Sequence, residues 1–253
     1  MGVFGRFEAP GWVGRLLAFS GLGVAGALLA GMLFHDDGLH FGFVTGLMCV
    51  AWVAGCVALV ESFFNRVKLL EMVVFPFCAL IFLLPLVVQE SILIPQGSQW
   101  AFRVHLVIAV AAYSLLGLAA VHACIMAWQE RVLHDPQTSG QNKKIQENLL
   151  DQLPSLMAME AALFRQVWAG FALLTLTLLT GFVFAEQWLG RALELDHKTV
   201  FSVMSWVSFA VLLAGRVIGG WRGRKALHWC LGSYFVLVLA YFGTQFVFEF
   251  VLG

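Results

Sequence analysis

An all-α bundle of about seven membrane-spanning helices is the architecture this chain encodes, on three grounds. Of 253 residues, 60% are apolar and only 12% are charged, where a soluble domain carries about 25% charged residues. No soluble core absorbs that excess, so lipid must be the solvent for most of the chain. Seven apolar stretches, near 14–34, 41–62, 69–88, 103–127, 163–186, 199–216 and 227–251, each approach the ~20 residues a spanning helix needs. These runs are continuously apolar rather than alternating, which excludes a β-barrel.

The elements follow in order. In the first helix Gly23, Ala27 and Gly31 recur at four-residue spacing, a pattern that lets a neighbouring helix approach closely. The opening apolar run is too long for a cleaved signal peptide and lacks a small-x-small cleavage site. Pro76 and Pro85 predict bends in the third helix, where neighbours can rescue the freed backbone. The segment 129–162 is the one long loop. It begins polar, from His134 to Gly140, and then places Ile145, Leu149, Leu150 and Leu153 at helical spacing among polar residues. That pattern predicts a short amphipathic helix on the inner membrane surface, or a partner-docking surface, ended by Pro154. The whole of 1–253 reads as one integral membrane domain. It has no strong internal repeat, which disfavours a transporter built from duplicated halves.

Lys and Arg sort the two faces. Arg6, Arg15, Arg66, Lys68, Arg131, Lys143, Lys144, Arg165, Arg216, Arg222, Arg224 and Lys225 fall in alternate segments, against Arg103, Arg191 and Lys198 in the others. The excess belongs in the cytoplasm, so the N-terminus is predicted inside and the C-terminus outside. His35, His40, His105 and His197 then lie at the outer face, and His122, His134 and His228 at or near the inner one. From His105 to His122 a helix climbs ~25 Å, consistent with that division.

Several function classes drop out. Net charge is zero and no basic stripe exists beyond short loops, so nucleic acid is not an expected partner. The five cysteines, Cys49, Cys56, Cys78, Cys124 and Cys230, form no C-x-x-C and read as small apolar fillers. No G-x-S-x-G, H-E-x-x-H or phosphate-cradling glycine loop is present, so the chain is not expected to be an enzyme. Few ionisable residues fall at mid-membrane, which argues against a solute pathway; Gln245 and Glu249 lie toward the outer end of the last helix.

The chemistry-bearing candidates gather at the outer face. His105 opens the fourth helix, and Asp196, His197 and Lys198 precede the sixth, with Asp196 placed to cap it. Two imidazoles at one face are what a six-coordinate haem iron requires. Arg103, Arg191 and Lys198, the only outer cations, are candidates for the propionates. Trp188, Trp206, Phe201 and Tyr113 are candidates for an aromatic wall, although Trp and Tyr also favour membrane interfaces. Zinc is the competing metal, through His35, His40, Asp36 and Asp37. The H-x-x-x-x-H spacing is not that of a closed site and no outer Cys completes it.

Five segments resemble the cytochrome c assembly membrane proteins, the CcsA/CcmC-related family, and within it the YpjD-like inner-membrane branch. They are Arg103-Val104-His105 with Ala112-Tyr113-Ser114; Leu173 to Gly181; Asp196-His197-Lys198 with Ser205-Trp206; Gly220-Trp221-Arg222-Gly223; and Leu239 to Gly243. The likeness runs from about residue 100 to the end. It implies a multi-pass protein of the bacterial inner membrane that holds haem at the outer face and supports cytochrome c assembly, with His105 matching an axial ligand. Lipid, haem and other inner-membrane or assembly proteins are the implied partners. Leu193-Glu194-Leu195-Asp196-His197-Lys198 keeps the family's Asp and Lys but not its tryptophans, and no His follows His228. A haem-free accessory scaffold of the same fold is therefore the alternative.

Overall fold

The computed structural model describes residues 11–35, 38–64, 68–88, 94, 97, 99–134, 155–189 and 197–246. Seven α-helices run through them: α1 Gly11–Leu33, α2 Phe43–Phe64, α3 Lys68–Leu83, α4 Trp100–His134, α5 Leu156–Leu189, α6 His197–Val217 and α7 Gly223–Phe246. Five contain stretches long and apolar enough to cross a bilayer: Val13–Leu33, Phe43–Phe63, Trp100–Val132, Leu156–Val183 and Lys198–Val217. The chain is a polytopic helical membrane bundle. Two-residue strands, Phe34–His35 and Gly38–Leu39, pair antiparallel between α1 and α2.

Several boundaries differ from the hydropathy reading for local reasons. α4 reaches His134 and α5 begins at Leu156, so both helices extend well into the segment expected to be loop, 129–162. In α4 the added turns carry Gln129, Glu130 and Arg131, whereas in α5 the added residues are apolar except Glu160 and belong to the same apolar span. Ser155 sets the start of α5, its Oγ accepting from the Ala158 N–H at 3.3 Å. Pro76 is accommodated inside α3, whereas the α-helix stops at Leu83 and gives way to a 3₁₀ turn, Leu84–Leu86, around Pro85. The anticipated amphipathic helix at 145–153 lies outside the described residues, as does Glu249.

The small-residue stripe is corrected. Gly23 and Gly31 have open space where a side chain would stand; the contact glycine of α1 is Gly26, 3.0 Å from the Trp52 ring at its ideal Cβ position. Gly26 lies outside the four-residue pattern, so spacing alone named the wrong face. Trp52 Nε1 then donates to Leu22 O at 2.8 Å, fastening α2 to α1.

Lipid offers no hydrophobic drive between helices, so packing and interhelical hydrogen bonds hold the bundle. Ser114 Oγ on α4 bonds Val50 O on α2 at 3.0 Å, and Ser205 Oγ on α6 donates to Ser233 O on α7 at 3.0 Å. All three tyrosines of the chain meet where α4, α7 and α2 converge. Tyr234 and Tyr241 direct their hydroxyls at Gly117 and Gly46, where a Cβ would clash.

Ion pairs gather at one end of the bundle. Arg165 lies 3.5 Å from Glu61, Arg224 lies 3.8 Å from Glu130, and Glu160 pairs with Arg216 and with Arg222 at 3.9 Å. There the α6–α7 turn folds Trp221 back onto Gly215 and Gly219, with Gly220 and Gly223 both left-handed at φ 59° and 57°. The opposite end carries the short hairpin, the start of α4 and the start of α6.

Candidate functional site

Polar side chains on α5 organise that second end. Thr180 Oγ1 donates to Leu176 O, one turn back, at 2.8 Å. The same oxygen is hydrogen-bonded to His105 Nδ1, 2.7 Å away on α4. A neutral ring that donates from Nδ1 carries its lone pair on Nε2. Gly181 leaves room beside the ring, its ideal Cβ position standing 3.6 Å from His105 Cε1. Metal-ligating histidines are characteristically held this way, the second nitrogen donating to a fixed oxygen that sets tautomer and ring plane.

The arrangement repeats one layer inward, ~7.5 Å along α5. Thr175 Oγ1 donates to Phe171 O at 2.8 Å and accepts from Trp206 Nε1 of α6 at 2.9 Å. The Trp206 ring stacks on Phe171 with centroids 5.6 Å apart. The threonines of the Leu173–Gly181 segment thus dock a ring nitrogen from α4 and another from α6. Spacing alone did not reveal this, because threonine in an apolar helix usually bonds only its own backbone.

Of the other sequence candidates, Lys198 stands at the first turn of α6, exposed and within electrostatic reach of His105. His197 is the first residue of α6. Arg191 and Asp196 lie outside the described residues. Arg103 is not brought to the site. Two positions before His105, it stands about 200° around α4. Its Nε donates to Gly97 O at 2.7 Å and its guanidinium lies 5.9 Å from the Phe34 ring centre. It borders a cavity of about 440 Å³ between α1, α2 and α4, which includes Phe34, Leu39, Trp52 and Val107 in its lining and not His105. Arg103 thus ties the loop before α4 to the hairpin, on the far side of the helix from the imidazole.

Haem needs an imidazole with an available lone pair on a fixed ring, and cations toward its propionates. The ring of His105, held by Thr180, and the cation of Lys198 nearby fit a fixed imidazole beside a positive charge; Arg103 lies on the other side of α4. Among the described residues no three His, Cys, Asp or Glu side chains cluster as a metal site, so His40 is not part of a zinc centre formed by those residues.

Comparison with known proteins decides the family. The profile described as "Cytochrome C assembly protein" matches residues 16–252. The chain belongs to the cytochrome C assembly protein family. Among curated relatives, this assembly-family chain is 34% identical over 144 residues to "Inner membrane protein YpjD" of Escherichia coli (strain K12), covering 57% of this chain and 51% of that protein. It is 34% identical over 149 residues to an "Uncharacterized 28.8 kDa protein in nifR3-like 5'region" of Azospirillum brasilense, covering 59% and 52%. It is 33% identical over 84 residues to "Cytochrome c biogenesis protein CcsA" of Prochlorococcus marinus (strain MIT 9515), covering 33% and 27%. The aligned region spans about half the length of the first two relatives.

Proposed function

We propose that this protein holds haem at the His105 end of its bundle and supports cytochrome c assembly from the inner membrane. The observation that carries the proposal is the His105–Thr180 hydrogen bond, which holds the imidazole of α4 in a fixed plane against α5. Membership of the assembly family supports the role in cytochrome c biogenesis, and the distribution of Lys and Arg supports an outward-facing His105 end.

In this reading His105, at the start of α4, and His197, opening α6, would hold the haem iron. Lys198, Arg191 and Asp196 belong to the polar surround, with the two cations directed to the propionates. Trp206 and Phe171 form an apolar floor one layer inward. Haem bound there supplies an iron that can pass between redox states. The residues themselves bind, orient and release; none performs covalent catalysis.

The test is the absorption spectrum of detergent-purified protein after haem addition, for wild type, His105→Ala and His197→Ala. The expected result is a Soret band in wild type that weakens or shifts in both variants. Absence of a band in folded wild type overturns the reading and leaves a haem-free scaffold on the same fold.

A further inference from the structure

Helices α1 and α4 both pack on α2 and scarcely touch each other, which leaves a cleft between them. This cleft is the cavity of about 440 Å³ beside Arg103. Sites that hold small molecules run from about 300 to 1,000 Å³. Leu29 and Leu33 wall it from α1, Cys49 and Trp52 from α2, and Val107 and Ala111 from α4. Trp52 commits its one ring N–H to Leu22 O at 2.8 Å, so water inside would find few polar partners. The lining suits a hydrocarbon occupant.

Arg103 is the only charged residue on that lining and stands where α4 begins. From there to Ala111 the cleft descends ~12 Å along the helix. The exposed guanidinium donates from Nε to Gly97 O and has no carboxylate partner among the described residues. Its two Nη groups are left to face an anion.

A second apolar groove, of about 260 Å³, starts at the same guanidinium. Trp100, Arg103, Val104, Val107 and Ile108 border it, recurring along one face of α4. Trp100 and Val107 are 76% and 67% exposed, so this face looks outward to lipid. Arg103 and Val107 border both grooves. One cation thus heads two apolar grooves that run down α4 side by side, with Val107 as the ridge between them.

A double-chained anionic amphiphile has that shape and charge. Its phosphate would meet the guanidinium, which grips phosphate through paired N–H donors, and each groove would take one chain. A single chain or a flat ring would leave one groove bare. Among the described residues no carboxylate lines either groove, so nothing there answers the ammonium of a zwitterionic lipid. We propose that Arg103 and its two grooves hold one anionic diacyl phospholipid, seated between α1 and α4. His105 is not on either lining, so this seat stands or falls independently of haem.

The test is native mass spectrometry of the full chain in detergent, titrated with phosphatidylglycerol or with phosphatidylethanolamine of the same chains. One phosphatidylglycerol is expected to bind about fivefold more tightly than phosphatidylethanolamine, the contribution of one basic residue at an anionic lipid surface. Arg103→Gln should erase that preference and Arg103→Lys should keep it. A hairpin loosened by Arg103→Gln would lower both lipids alike, so the ratio reads the head-group contact. Ala111→Phe fills the cleft and should weaken both lipids together. Lysophosphatidylglycerol, with one chain, should bind more weakly than the diacyl form. Equal binding of the two diacyl lipids, or a preference that survives Arg103→Gln, overturns the proposal and leaves a general lipid annulus. Wild-type binding by Ala111→Phe, or a single-chain lipid held as tightly as the diacyl one, overturns it as well. Should Arg103→Gln fail to fold, the wild-type ratio and Ala111→Phe decide by the same outcomes.

Discussion

Thr180 and His105, 75 positions apart, meet through a 2.7 Å hydrogen bond that joins α5 to the start of α4. The bond holds the plane of the imidazole. Thr180→Val keeps the volume and removes the acceptor. The variant is expected to weaken haem binding by roughly 10–100-fold, the cost of losing an outer-shell partner of a ligating histidine. Thr180→Ser should recover most of it. Haem titration followed at the Soret band checks both, and equal affinity across all three proteins would remove Thr180 from the site.

Arg103 tests the geometry from the opposite side of α4. Arg103→Gln is expected to leave haem affinity within about twofold, because the side chain faces away from His105. It should loosen the contact between the hairpin and the loop before α4, where Gly97 O loses its donor. Hydrogen exchange in 34–39 and 94–97 is the readout. A large loss of haem with unchanged exchange there would place Arg103 in the site.

Trp206→Phe keeps a ring against Phe171 and removes the N–H that Thr175 accepts. About 1 kcal/mol of stability should be lost, the usual size of an interhelical hydrogen bond in a membrane bundle. Denaturant or thermal unfolding in detergent measures it. Double substitution with Thr175→Val should cost little more than either change alone, since both remove one bond.

Gly117→Ala drives a methyl group into the Tyr234 hydroxyl, 2.7 Å from the ideal Cβ position. Overpacking of this kind costs about 1–3 kcal/mol. Tyr234→Phe in the same chain should restore part of the loss by vacating the hydroxyl's space. An additive pair of effects would show that the two residues do not meet.

Much of the fold was legible because lipid imposes a single length scale on apolar runs. Each expected stretch overlaps a helix in the structure. Helix ends were less legible: α4 continues into 128–134, where Gln129, Glu130 and Arg131 interrupt the apolar run, and α5 takes in 156–162, where Glu160 is the one charged residue among apolar ones. In the site, His105 and Trp206 could be singled out as residue types, but their partners Thr180 and Thr175 could not. Their role depends on a neighbouring helix presenting a ring nitrogen at the right height. Arg103 shows the converse failure. Two positions from His105 is adjacent in sequence and nearly opposite in space on a helix.

The ion pairs described above brace one end of the bundle, joining α2 to α5, α4 to α7, and α5 to the α6–α7 turn. Among the described residues these ion pairs lie at one end of the bundle. On the proposed reading, a haem held between the starts of α4 and α6 would sit at the end of the bundle opposite these charges, so that loading it would leave the ion pairs that join the helices untouched.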